Sequence, residues 1–157
     1  MKRKSILLSV LLMSVVSVFA QKAPKADSPF IGIWQYCGAR INLEASTQEV
    51  TYASVFKILQ PDGKLYNMQF GPKGQAFFFV EGTWEQTSDN TYTEHVKTHL
   101  GTGIPNTKCY MTWKFSEDGK KAIATYKSTD GGSSTEIYCK VEAVRPGTNQ
   151  DNIKISK

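Results

Sequence analysis

Three groups of side chains in this 157-residue chain are of types that do chemistry. The first is Glu94, in Tyr92-Thr93-Glu94-His95-Val96. Alternation along an extended segment puts it on the face of Tyr92 and Val96. A carboxylate among apolar neighbours is costly unless paired or hydrogen-bonded. Glu94 therefore reads as the polar anchor of a pocket or as an acid with a raised pKa. The structural alternatives are a hydrogen-bond acceptor for a tyrosine or backbone, or a residue that a bulge turns outward. The second group is His95-x-x-x-His99. On a helix that spacing gathers both rings around a metal, but on a strand it spans about 13 Å, too far for one ion. No metal site and no cofactor are expected. The third group is Cys37, Cys109 and Cys139, an odd count that leaves one disulfide plus one thiol, or no disulfide, open. A nucleophilic cysteine needs a neighbouring base, and the sequence places none. There is no phosphate loop, nucleophile elbow or zinc signature.

These residues must be positioned by strands. Eight runs rich in β-branched and aromatic residues follow one another: Phe30–Cys37, Thr51–Leu59, Lys64–Phe70, Ala76–Thr87, Thr91–Leu100, Lys108–Phe115, Lys121–Lys127 and Thr135–Val144. Pro61-Asp62-Gly63, Gly71-Pro72-Lys73-Gly74, Glu117-Asp118-Gly119-Lys120 and Asp130-Gly131-Gly132 are turn signals between them. No segment has convincing helical periodicity. Short connections pair strands antiparallel in chain order. Closure then removes both unpaired edges, so an all-β, eight-stranded antiparallel up-and-down barrel is expected. Ranking faces by apolarity points Tyr66, Met68, Phe70, Phe78, Val80, Trp84, Met111, Trp113, Ile137 and Val141 inward, with Phe77 and Phe79 outside. Strands one and eight meet on closure, which makes Cys37–Cys139 the easiest disulfide. Parity opposes it, because Trp34 inward sends Cys37 outward.

Ahead of the runs, Lys2-Arg3-Lys4 precedes an apolar stretch from Ile6 to Phe19, ending in Val18-Phe19-Ala20. That pattern is a secretory signal peptide over residues 1–20, and it is too short and wrongly flanked for a membrane span. The remaining 137 residues carry 16 basic and 14 acidic side chains, +2 rather than +5. That removes the compositional case for nucleic acid. Residues 21–29 read as a flexible arm, 30–146 as the barrel and 147–157 as a polar tail. The expected location is periplasmic or secreted.

Gly32-Ile33-Trp34 in the first strand, and a basic Arg145 after the last, resemble the signature of the lipocalin (calycin) superfamily. More narrowly, Phe56-Lys57-Ile58-Leu59 with Pro61-Asp62-Gly63, Gly82-Thr83-Trp84 and Tyr92-Thr93-Glu94-His95 resemble small secreted bacterial lipocalin-like proteins of unknown function. The resemblance implies that Arg145 stacks on Trp34 at a closed end, with the mouth opposite. The chain lacks an apolar pattern for the packed C-terminal helix of larger lipocalins, and the Gly38–Val50 connection is too short for a two-helix lid.

The leading functional expectation is a non-enzymatic barrel holding a small, partly hydrophobic or aromatic ligand. The expected lining is Phe56, Tyr66, Met68, Phe78, Glu94, Met111, Trp113 and Tyr126. One alternative is an interaction module that binds an exported protein or glycan through its outer face, with Phe77 and Phe79 also suggesting a homodimer. The other is an enzyme that uses Glu94 on a bound ligand.

Overall fold

The computed structural model describes residues 24–37, 52–100 and 105–142. The expected signal peptide, the first connection, Arg145 and the polar tail lie outside them. Eight strands follow in chain order: β1 (Gly32–Cys37), β2 (Tyr52–Leu59), β3 (Lys64–Phe70), β4 (Ala76–Gln86), β5 (Thr91–His99), β6 (Lys108–Phe115), β7 (Lys121–Ser128) and β8 (Ser133–Lys140). Each pairs antiparallel with the next, and β1 pairs with β8 through Trp34↔Lys140, Gln35↔Cys139 and Tyr36↔Tyr138, which closes the barrel. The all-β, eight-stranded antiparallel barrel expected from the run pattern is the observed fold. No helix among the described residues is long and apolar enough to cross a membrane.

One end is plugged by rings. Phe30, Trp34, Trp84, Tyr92 and Trp113 are all buried there, with Phe30 lying 4.9 Å from Tyr92 and 5.7 Å from Trp113. The indole N–H groups of Trp34 and Trp84 donate to the carbonyls of Phe30 and Gln60, at 2.8 and 3.0 Å. That satisfies polar atoms that burial would otherwise leave costly. The described part of the expected flexible arm is packed against this end: Pro24 and Ser28 are buried, and the Ser28 N–H donates to Lys25 O at 3.0 Å. Gly32 has φ +141°, a conformation few side chains accept, and a Cβ there would press to 3.2 Å from the Lys140 Cε. The Lys140 ammonium sits 5.2 Å from the Trp34 ring centroid, a cation–π contact. Lys140 thus supplies a basic group to the Gly-x-Trp strand from the last residue of β8.

The strands' inward faces depart from an apolar ranking in three places. Across β2, β3 and β4 the register runs Lys57↔Asn67↔Val80, and opposed residues share a face. Lys57 and Val80 are buried, so Asn67 faces inward and Tyr66, Met68 and Phe70 face outward. The register then shifts from Asn67↔Val80 to Met68↔Phe78, leaving Phe79 as the extra residue of a bulge. Phe78 is thereby turned outward, 43% exposed, while Phe79 packs against the core. Tyr66, Met68 and Phe78 are therefore not interior residues, and neither half of the expected outer pair is on the outer face: Phe79 packs inward and Phe77, opposite Gln69, falls on the inward side of the exposed rim.

In β8 the inward set is Glu136, Tyr138 and Lys140, because Tyr138 stacks on Trp113 with centroids 5.3 Å apart. Ile137, Cys139 and Val141 fall on the opposite face. That reversal also removes the parity objection to the disulfide. Cys37 and Cys139 both lie on the outer face, and they are bonded, with Cα atoms 6.3 Å apart. They form a small apolar cluster with Ile137 and Ile123. Cys109 is the free thiol.

A second register shift, between β4 and β5, takes Glu81↔Thr98 to Gly82↔Val96 and leaves Lys97 extra. Gly82 is required at this crossing, since a Cβ would collide with the His95 carbonyl oxygen.

Candidate ligand cavity

The half of the barrel opposite the aromatic plug is built from polar side chains. Lys57 projects inward from the middle of β2, and Glu94 from the middle of β5. Their Nζ and Oε1 atoms are 2.5 Å apart, and the side chains are only 4% and 5% exposed. The Tyr92 hydroxyl donates to the same oxygen at 2.9 Å. From β8, the Tyr138 hydroxyl donates to Glu136 Oε2 at 2.6 Å, and the Tyr138 ring centroid lies 5.8 Å from the lysine ammonium.

Burial pushes the Lys57 ammonium toward neutrality, but the carboxylates of Glu94 and Glu136 outweigh it and hold its pKa above the ordinary lysine value. Burial raises both tyrosines well above their usual range, and the adjacent carboxylates raise them further. The Cys109 thiol is pushed up to about 11, first by burial and then by the Glu94 carboxylate. It is protonated at neutral pH and is not a nucleophile.

Beside the ion pair lies a cavity of about 340 Å³, bordered by Lys57, Glu94, Glu136, Phe79, Val96 and Met111 among others. Its mouth carries His99 at the end of β5, and Ser128, Asp130 and Gly132 around the β7–β8 turn. A second cavity of about 260 Å³ shares Asn67, Phe79 and Glu136 with it and reaches Tyr36 and Tyr138. The larger volume falls in the range of small-molecule sites. Two buried polar atoms on its wall, the acceptor Asn67 Oδ1 and the ring nitrogen His99 Nδ1, have no hydrogen-bond partner among the described residues.

Of the residues expected to line a pocket, Glu94, Met111 and Tyr126 border the larger cavity. Phe56 touches only the smaller one and packs its ring against Phe70, 5.7 Å away. Trp113 is buried in the plug rather than on a cavity wall, and Tyr66, Met68 and Phe78 are outside. His95 pairs with Glu85 at 3.0 Å, while the bulge at Lys97 swings His99 into the cavity, so the two histidines do not share a site. Among the described residues, no group of histidine, cysteine and carboxylate side chains could hold a metal ion.

Lys57, Asn67, Glu136, Phe79 and His99 were not expected at the site. One signal was available: Lys57 is the only charge in Val55-Phe56-Lys57-Ile58-Leu59, and an inward Glu94 calls for a counter-ion.

The fold and this cavity define a class: a closed eight-stranded antiparallel barrel, plugged by aromatic rings at one end and hollow and charged at the other. The chain belongs to the family described as a domain of unknown function, DUF4488, which matches residues 29–147. No curated protein matches the chain.

Proposed function

We propose that this is an exported, lipocalin-like carrier or sensor that holds one small molecule inside its barrel and performs no chemistry on it. The observation that carries the reading is the cavity of about 340 Å³ beside a buried ion pair, with an acceptor on its wall, Asn67 Oδ1, that has no partner among the described residues. A barrel of eight strands is just wide enough to hold one small ligand. Gly32, Trp34 and the cation over its ring support the lipocalin likeness, and the N-terminal basic and apolar pattern supports export to the periplasm or beyond.

The wall argues against a purely hydrophobic ligand. Phe79, Val80, Val96 and Met111 offer an apolar bed, while Glu136, Asn67 and His99 offer polar anchors. The absence of catalysis is supported by the state of Glu94. Its Oε1 is engaged by both Lys57 and Tyr92, so it is held as a structural anchor rather than poised to move a proton. Native mass spectrometry of the purified protein, with displacement of an environment-sensitive dye, tests the reading. A bound small molecule, or saturable dye binding lost on filling the cavity by Val96→Trp, is expected. A barrel that takes neither sinks the proposal.

A second reading, docking of another exported protein on the outer face, is favoured by one observation. Phe70 and Phe78 are exposed on the same outer face of β3 and β4, beside Phe56, Tyr66 and Met68. Unchanged pull-down partners after Phe70→Ser/Phe78→Ser would exclude it.

A further inference from the structure

The charge of the cavity wall narrows the class of ligand, and this step rests on the ligand-binding reading above. Among the described residues, three carboxylates border the cavity, Glu94, Asp130 and Glu136, against one ammonium, Lys57, with the His99 imidazole at the mouth. Whole-chain arithmetic gives no hint of this, since the chain without its first 20 residues is slightly basic. Lys57 is committed to Glu94 at 2.5 Å. Asp130 accepts from the Ser128 hydroxyl and the Gly132 N–H, which hold its carboxyl below the usual range, so it is anionic at neutral pH. Glu136 accepts one hydrogen bond, from Tyr138 to Oε2. Asn67 Oδ1 is a buried acceptor, and His99 Nδ1 a buried ring nitrogen, with no hydrogen-bond partner among the described residues. The wall therefore has acceptors to spare and a negative excess, in a space where water screens poorly. A carboxylate ligand such as a fatty acid would meet like charge, whereas a ligand that brings N–H donors and positive charge would meet complementary groups.

We infer that the cavity takes a small protonated amine with an apolar body, its ammonium seated at Glu136 beside the Asn67 acceptor. The apolar body lies against Phe79, Val80, Val96 and Met111. Asp130 at the mouth attracts the cation on entry. The ion pair Lys57–Glu94 forms the floor and keeps Lys57 from recruiting an anion.

Three probes of one shape separate charge from size: hexylamine, hexanol and hexanoate, titrated calorimetrically into the purified protein at pH 7. Hexylamine is expected to bind at least about tenfold tighter than hexanol, the scale of a charge-assisted hydrogen bond, with hexanoate weakest. Glu136→Gln should bring hexylamine down to the level of hexanol and leave hexanol unchanged. Asp130→Asn should weaken hexylamine by a smaller factor. Equal binding of amine and alcohol, or tighter binding of hexanoate, overturns the cation preference and leaves the cavity reading standing. Failure of all three probes at millimolar concentration removes both. The ranking on the unaltered protein decides the matter even if a variant does not fold.

Discussion

The two ends of this barrel bury different kinds of side chain. At the plugged end, Phe30 sits within 4.9 to 6.2 Å of Trp84, Tyr92, Trp113 and Phe115, and the indole N–H groups of Trp34 and Trp84 reach carbonyl partners. At the hollow end, an ion pair replaces rings and space is left open, while buried polar atoms without a partner among the described residues occur at both ends, Trp113 Nε1 in the plug and Asn67 Oδ1 on the cavity wall. The apolar end is where burial stabilises the fold. A buried ion pair is weak evidence for stability, because desolvation cancels much of its attraction. On the proposed reading, the difference gives folding to one end and recognition to the other, with Tyr92, Tyr138 and Lys57 where the two meet.

Raising the pH attacks that junction and should give the largest effect. Lys57, Tyr92 and Tyr138 all have folded-state pKa values above their ordinary ones. Each therefore binds its proton more tightly in the folded state. The associated stability is complete below the unfolded values, near 10, and is lost as pH rises toward the folded ones. While the pH lies in that window, each proton that only the folded state still holds makes stability fall as the pH rises, and the three losses act in the same direction. Urea midpoints measured from pH 8 to 11.5 should be flat up to about 10 and then fall steeply. A flat profile to pH 11.5 would mean that the three are not buried as a group.

Single substitutions then separate the ends. Trp34→Ala should cost about 3–5 kcal/mol in denaturant unfolding, the scale for removing a buried ring. Glu94→Ala should cost about as much, 3 kcal/mol or more, because it leaves the Lys57 ammonium buried and unpaired. The discriminating variant is the double replacement Lys57→Met/Glu94→Leu. It should restore most of the stability and leave the hexylamine preference in place, because Glu136 and Asp130 remain on the wall. A double replacement in the plug should show no such recovery, because each removed ring adds its own loss of buried contact. If Lys57→Met/Glu94→Leu remains as unstable as Glu94→Ala, the hollow end carries stability as well.

The strands and their order were legible because run length and turn chemistry are local. Pro61-Asp62-Gly63 and Asp130-Gly131-Gly132 punctuate the chain whatever lies inside the barrel. The plug was legible in Gly32-Ile33-Trp34. The cavity wall was only partly so, since assigning faces by apolarity presumes an apolar interior, and here the interior carries Lys57, Asn67 and Glu136. Glu94, Met111 and Tyr126 were found because they lie on strands whose inward face is mostly apolar. The bulges at Phe79 and Lys97 depend on pairing between strands, and nothing in Phe77-Phe78-Phe79 or in His95-Val96-Lys97 announces them.

The disulfide belongs to neither end and offers a smaller effect. It ties β1 to β8 across a sequence separation of 102 residues, at the seam where the barrel closes. Cys37→Ser/Cys139→Ser should lower stability by about 2–4 kcal/mol. Both cysteines are on the outer face, so amine affinity in the folded protein should not change. Hydrogen exchange should show the loss first in β1 and β8.

The smallest effect is the sharpest test of the bulge, because it sets neighbouring residues against each other. Phe78 is 43% exposed on the outer face, and Phe79 faces the cavity. Phe78→Ser should change stability by about 0.5 kcal/mol, the scale of a surface substitution, and leave probe binding untouched. Phe79→Ser should cost more, about 1–2 kcal/mol, because it removes apolar contact inside the barrel. It should also weaken hexylamine and hexanol alike, since the lost contact is with the apolar body that both share. Without the bulge, strict alternation from Val80 would place Phe78 inside, and the two phenotypes would exchange. Calorimetric titration and thermal unfolding of the two variants side by side therefore read the register of β4 directly, and with it the wall of the cavity.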